Sequence, residues 1–137
     1  DWSLDVCSSD LEEVRFHEVG AIDSIVDIVS AAVCLDNLNV EGVIVPKLCD
    51  GQGTVRTRHG VLAVPVPAVI NIITEYGIRL EIRDRQGEYI TPTGAAFVAA
   101  TVTEKVLPKD FVPVRVGLGA GKRDHEVPGI LRAILIE

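Results

Sequence analysis

Pro67-Ala68-Val69-Ile70-Asn71-Ile72-Ile73-Thr74-Glu75-Tyr76-Gly77-Ile78-Arg79-Leu80-Glu81-Ile82-Arg83 changes its hydrophobic period in the middle. Pro67 suits the first turn of a helix, where its missing N–H costs nothing. Ala68 to Tyr76 continues that helix, and Gly77 ends it. Ile78 to Arg83 then alternates apolar and charged residues, the pattern of a strand with one wet face. A helix followed directly by a strand makes this a mixed chain.

Working outward confirms the interleaving. Gln86-Gly87 turns the chain, and Thr91-Pro92 opens a second helix with Thr91 as N-cap, running through Ala95 to about Glu104. Val112 to Val116 and Ile130 to Ile136 read as strands, with Gly117, Gly119 and Gly121 in the loop between them. Upstream, Thr54 to His59 reads as a strand entered through Gly51-Gln52-Gly53. Val43-Ile44-Val45 reads as a short buried strand closed by Pro46. Gly20 to about Leu38 reads as a helix, because Ile22, Ile25, Val26, Val29, Ala32 and Val33 recur at helical spacing. Asn37 and Asn39 suit its end. The expected class is α/β (or α+β): a mixed sheet with about three helices.

Composition narrows the function. The 137 residues are 47% hydrophobic and 24% charged, enough for one core, and that core is aliphatic because aromatics make up only 4%. A net charge of −7 argues against a nucleic-acid surface, which needs a basic patch. The longest uncharged runs, Gly60 to Thr74 and Ile90 to Thr103, are shorter than the ~20 residues of a membrane helix. Cys7, Cys34 and Cys49 give no disulfide framework and no zinc spacing, which suits a reducing cytoplasm. Residues 1–11 carry neither helical nor strand periodicity, and Asp5 to Leu11 resembles the translation of a sequencing adapter. They are expected to be non-native, and residues 12–137 to be part of a larger protein.

Four constellations could carry chemistry. In Phe16-His17-Glu18-Val19-Gly20-Ala21-Ile22-Asp23-Ser24-Ile25-Val26-Asp27, imidazole and carboxylates gather at the mouth of a greasy helix. That pattern suits metal binding or acid/base work. Asp23 and Asp27 stand four apart on one stripe with Ser30 and Cys34, and their like charges cost the helix ~0.2–0.5 kcal/mol, a penalty that a cation would reverse. On spacing alone, a solvated helix face, with Asp23 favouring the positive helix N-terminus, ranks first. In Gly51 to Gly60, the glycines permit close backbone approach to a ligand, and Arg56, Arg58 and His59 could meet a phosphate or carboxylate. Arg56 and Arg58 share one strand face and His59 the opposite one, so taken alone an ordinary solvated strand face ranks ahead of that reading. Thr91-Pro92-Thr93-Gly94-Ala95-Ala96 is a helix N-terminus with free N–H groups, an anion site in waiting. Gly117-Leu118-Gly119-Ala120-Gly121-Lys122-Arg123 is a glycine-rich turn with two cations. Its spacing is wrong for a Walker motif, and no Ser or Thr follows Lys122.

Taken in order, these four segments, with Val64-Pro65-Val66-Pro67-Ala68 after the second, resemble the nickel insertion protein family of nickel-pincer cofactor synthesis, which serves lactate racemase maturation. The resemblance covers Val14 to Glu137. It implies a cytoplasmic nickel-inserting lyase that places Ni²⁺ into a pyridinium bis-thiocarboxylate mononucleotide, consuming CTP with a divalent cation. The product would pass to lactate racemase or a similar apoenzyme, with no nucleic acid or membrane involved. It also implies a C-terminal CTP-associated domain beyond this chain. The metal ends on two sulfurs and a ring carbon, so the reaction needs a nickel site, a group to accept the ring proton, and cations or helix termini for phosphate. Within that frame His17, Glu18, Asp23 and Asp27 are the nickel candidates. His59 or Glu18 is the candidate base. Arg58, Thr93, Gly94, Lys122 and Arg123 are the candidates for phosphate. One departure stands out: the family usually has His where this chain has Arg15. Two other readings compete, a non-catalytic nickel carrier and a nucleotide- or phosphate-binding module without metal.

Overall fold

The computed structural model describes residues 22–57, 60–121 and 127–137. They fall in two compact units, Asp1–Asn39 and Val40–Glu137. The described part of the first unit is one helix, α1 (Ile22–Leu38). Asn39 follows it at φ 48°, the left-handed conformation that Asn tolerates past a helix end. Its aliphatic residues are exposed, Ile22 at 81% and Ile25, Val26, Val29 and Val33 at about half. No described helix is long and apolar enough to cross a membrane.

The second unit contains β1 (Leu48–Gln52), β2 (Thr54–Thr57), β3 (Gly60–Ala63), α2 (Pro67–Glu75), β4 (Leu80–Gln86), α3 (Pro92–Thr101), β5 (Pro113–Ala120) and β6 (Ile130–Ile136). The fold is α/β, and its strands pair both ways. β1 lies parallel to β4, while β2 with β3 and β5 with β6 form antiparallel hairpins. Among the described residues these are three two-stranded sheets rather than one. A parallel pair needs a crossover, and the β2–β3 hairpin followed by α2 supplies it between β1 and β4.

The quoted segment folds as its period dictates, with one refinement. The Gly77 N–H donates to Thr74 O (3.3 Å) and the Ile78 N–H to Ile73 O (2.9 Å), while Gly77 sits at φ 59°. That is a Schellman closure of α2, so Ile78 belongs to the helix stop and the strand begins at Leu80. Lys105 Nζ donates to Tyr76 O (2.6 Å) and Gly77 O (3.2 Å), placing a cation at the negative end of α2.

Val66, Val69, Ile73, Ile78, Ile90 and Ala95 form the core, with Leu48, Leu80 and Val98 packed against it. Each large aliphatic side chain there contributes roughly 1.5–3 kcal/mol by leaving water. The core joins α2, α3 and the β1–β4 pair, and so fixes where α3 begins.

Several expected elements differ. Val43-Ile44-Val45 is no strand. Ile44 makes an isolated bridge to Glu104, and Val43 O accepts the N–H groups of Thr103 and Glu104. Those bonds draw the backbone out of α3, which ends at Thr101 instead of near Glu104. The strand expected over Thr54 to His59 ends at Thr57, which pairs with Gly60. Gly117 and Gly119, expected in a loop, lie inside β5 opposite Ala133 and Leu131. There the antiparallel ladder overrides glycine's weak strand preference.

Candidate functional site

β1 and β4 run parallel, so their carboxyl ends lie together, and the chain leaving β4 turns at Gly87 (φ 102°) toward α3. Ligands of parallel sheets gather outside such strand ends. The organising residue is Asp50 on β1, which is fully buried. Its Oδ1 accepts the N–H groups of Gly51 (2.9 Å), Tyr89 (2.7 Å) and Ile90 (3.3 Å). Oδ2 is buried without a hydrogen-bond partner among the described residues. A carboxylate accepting several backbone N–H groups is a strong clamp, and here it fixes the two residues that lead into Thr91.

Tyr89 extends the clamp. Its hydroxyl donates to Val127 O at 3.1 Å, two residues before Gly129 and β6. The guanidinium of Arg85, from β4, lies 3.8 Å from the centre of the Tyr89 ring. Segments that the sequence separates by dozens of residues therefore meet around Tyr89: the start of the Gly51 to Gly60 stretch, the entry to the Thr91 helix, and the chain just past the glycine-rich motif.

At α3 itself, Thr91 Oγ1 accepts the Gly94 N–H (3.2 Å) and Thr91 O accepts that of Ala95 (2.9 Å). Pro92 has no N–H. The cap thus explains Gly94 and leaves the Thr93 N–H over, with the Thr93 side chain half-buried. The anion-binding capacity expected of this terminus shrinks from several donors to one N–H and a hydroxyl.

The Gly51 and Gly53 expectation also changes. A Cβ on Gly51 would collide with Gly87 O and stand 2.7 Å from Arg85 O, and one on Gly53, at φ 92°, would strike Gln86 Oε1. The close approach these glycines allow is to the β4 backbone and the Gln86 side chain, in a stretch where the β1–β4 register shifts between Asp50 and Gln52. Protein, not ligand, fills that space.

Asp23 and Asp27 lie on α1 as expected, both exposed, with Asp23 Oδ1 accepting the Ser24 N–H at 2.9 Å. No three His, Cys, Asp or Glu side chains come together as a metal cluster among the described residues. His17, Glu18, Arg58, His59, Lys122 and Arg123 lie outside the described residues.

Asp50, Arg85 and Tyr89 escaped the sequence reading. Arg85 continues the Glu81, Arg83 alternation, a signal that an expected strand end at Arg83 cut short. On that same face Glu81 pairs with Lys47 and, at 2.9 Å, with Arg83. The Lys47 hydrogen bond is the largest influence and holds its carboxyl below the usual range; desolvation opposes it, and the Arg83 and Lys47 charges add to the lowering. The Arg83 guanidinium also lies 3.8 Å from Cys49 Sγ.

With this geometry in place, residues 4–137 match the family model described as nickel insertion protein. Several curated relatives bear the name pyridinium-3,5-bisthiocarboxylic acid mononucleotide nickel insertion protein, among them the following three. The chain is 53% identical to that of Alkaliphilus metalliredigens over 127 residues, 93% of the chain and 30% of the relative. It is 46% identical to that of Clostridium acetobutylicum over 128 residues, 93% and 30% respectively. It is 45% identical to that of Lactiplantibacillus plantarum over 129 residues, 93% and 31%. The chain thus spans under a third of the length of these relatives. No solved structure matches it significantly.

Proposed function

The chain belongs to the nickel insertion protein family, and from that premise we propose that the full-length protein is a CTP-dependent enzyme that inserts Ni²⁺ into pyridinium-3,5-bisthiocarboxylic acid mononucleotide. The observation that carries this reading is 53% identity, across 93% of the chain, to a relative bearing that substrate's name.

In this reaction nickel is cargo. It gains two sulfurs and one ring carbon, and the ring C–H proton must leave to a base. Nickel handling falls to His17, Glu18, Asp23 and Asp27, since imidazole suits Ni²⁺ and carboxylates support it. His59 or Glu18 takes the ring proton. Arg58, Thr93, Gly94, Lys122 and Arg123 serve the phosphate. What supports the last group is the Asp50–Tyr89 clamp, which sets the start of α3 beside the chain that follows the glycine-rich motif. The setting is a soluble one in the cytoplasm, a divalent cation accompanies CTP, and the recipient is lactate racemase or a similar apoenzyme.

The test uses the full-length protein with Ni²⁺, CTP and the mononucleotide deuterated at the metallated ring carbon. Wild type should release that deuterium as nickel enters, and a His17→Ala, Asp23→Ala double variant should not. Nickel bound to protein without deuterium release would point to a carrier instead.

A further inference from the structure

Arg85 is a cation that the fold fixes in place and that no described carboxylate neutralises. Its guanidinium is stacked on Tyr89 at 3.8 Å, and its Nε is buried with no hydrogen-bond partner among the described residues. No described carboxylate lies within ion-pair distance of it, whereas its strand neighbour Arg83 is paired with Glu81. Tyr89 beneath it is held twice, at its backbone N–H by Asp50 (2.7 Å) and at its ring hydroxyl by Val127 O (3.1 Å). A buried donor without an acceptor is costly, and structures keep one where something else supplies the acceptor. A guanidinium presents a planar fork matched to phosphate, and stacking on an aromatic face leaves the fork's edge free.

We infer that Arg85, seated on Tyr89, is a phosphate-binding residue of this protein. The site lies where the carboxyl ends of β1 and β4 meet the approach to α3, whose Thr93 N–H the cap leaves over. The inference rests on the proposed substrate chemistry, in which two molecules bring phosphate: the pyridinium mononucleotide, as a monoester, and CTP, as a triphosphate. The shared group is what Arg85 recognises.

The test is equilibrium binding of each nucleotide to the full-length protein, wild type beside Arg85→Gln and Arg85→Lys, with inorganic phosphate as competitor. Arg85→Gln should weaken one of the two nucleotides about ten- to a hundredfold, the range of a lost charge-assisted pair. Arg85→Lys should recover part of that, because it keeps the charge and loses the fork. A loss confined to the mononucleotide identifies the substrate phosphate, and a loss confined to CTP identifies the triphosphate. Phosphate should compete less well against either variant. Unchanged binding of both nucleotides and of phosphate, with only a lower unfolding temperature, overturns the inference and leaves Arg85 a packing residue. Wild type that binds the mononucleotide through Arg85 but never metallates it would refute the insertion reading and leave this one standing.

Discussion

Replacing Asp50 by Ala removes one acceptor from three backbone donors, and the cost can be worked from the contacts. The Gly51 and Tyr89 bonds, at 2.9 and 2.7 Å, are of full strength, and the Ile90 bond at 3.3 Å is weak. Each buried N–H left without an acceptor costs about 1–3 kcal/mol. Against this, the variant removes a buried carboxylate whose Oδ2 has no partner among the described residues, which returns part of the loss. The net destabilisation should be about 3 kcal/mol, or roughly 12–24 °C for a unit of about 100 residues. Asp50→Asn separates acceptor from charge. It keeps an oxygen facing the three donors but loses the charge and buries an amide NH2 where Oδ2 stood, so it should cost about 1–2 kcal/mol, less than Ala. Thermal and urea unfolding of the 137-residue chain, followed by far-ultraviolet circular dichroism, reads both. If Asn is as damaging as Ala, an oxygen facing the donors is not what holds the loop, and the clamp reasoning is wrong. If Ala is harmless, the loop before α3 is held by something else.

Gly51→Ala places a Cβ against the carbonyls of Gly87 and Arg85, so urea unfolding should show a loss of about 1–3 kcal/mol, while Ala at the open Gly119 should cost far less. Glu81 gives a pH prediction. Its folded carboxyl titrates below its ordinary value of 4.5, so its contribution is present above that value and disappears as pH falls through the lower, folded one. The unfolding temperature of Glu81→Gln should therefore fall less steeply with acid than that of wild type, and parallel acid profiles would contradict the assignment.

What could be read from the sequence follows from which forces act locally. The Pro67 to Gly77 helix, the Thr91 cap and the Ile130 to Ile136 strand are written in period and punctuation, and the structure has them. β1 and β3 were not legible. Leu48-Cys49-Asp50-Gly51-Gln52 is stabilised by a partner more than thirty residues away, and its polar composition imitates a loop. Val43 to Val45 misled in the other direction, its apolar run serving one bridge to Glu104. Of the candidate site, the Thr91 to Ala96 helix start was legible as a place, though its cap uses donors that a ligand was expected to have. Asp50, Arg85 and Tyr89 were not legible, because a clamp between β1 and the β4–α3 turn has no signature in either segment alone. The glycines of Gly51-Gln52-Gly53 announced close approach correctly and left open what approaches.

Metallation by this family member is, on our proposal, driven by CTP. The direct measurement is nickel incorporation into pyridinium-3,5-bisthiocarboxylic acid mononucleotide by the full-length protein, followed by mass spectrometry of the released cofactor with and without CTP. A nickel-bearing product lacking one ring hydrogen should form only when CTP is present, with CTP consumed alongside it. Nickel incorporation at the same rate without CTP, or CTP consumed with no metallated product, would contradict it.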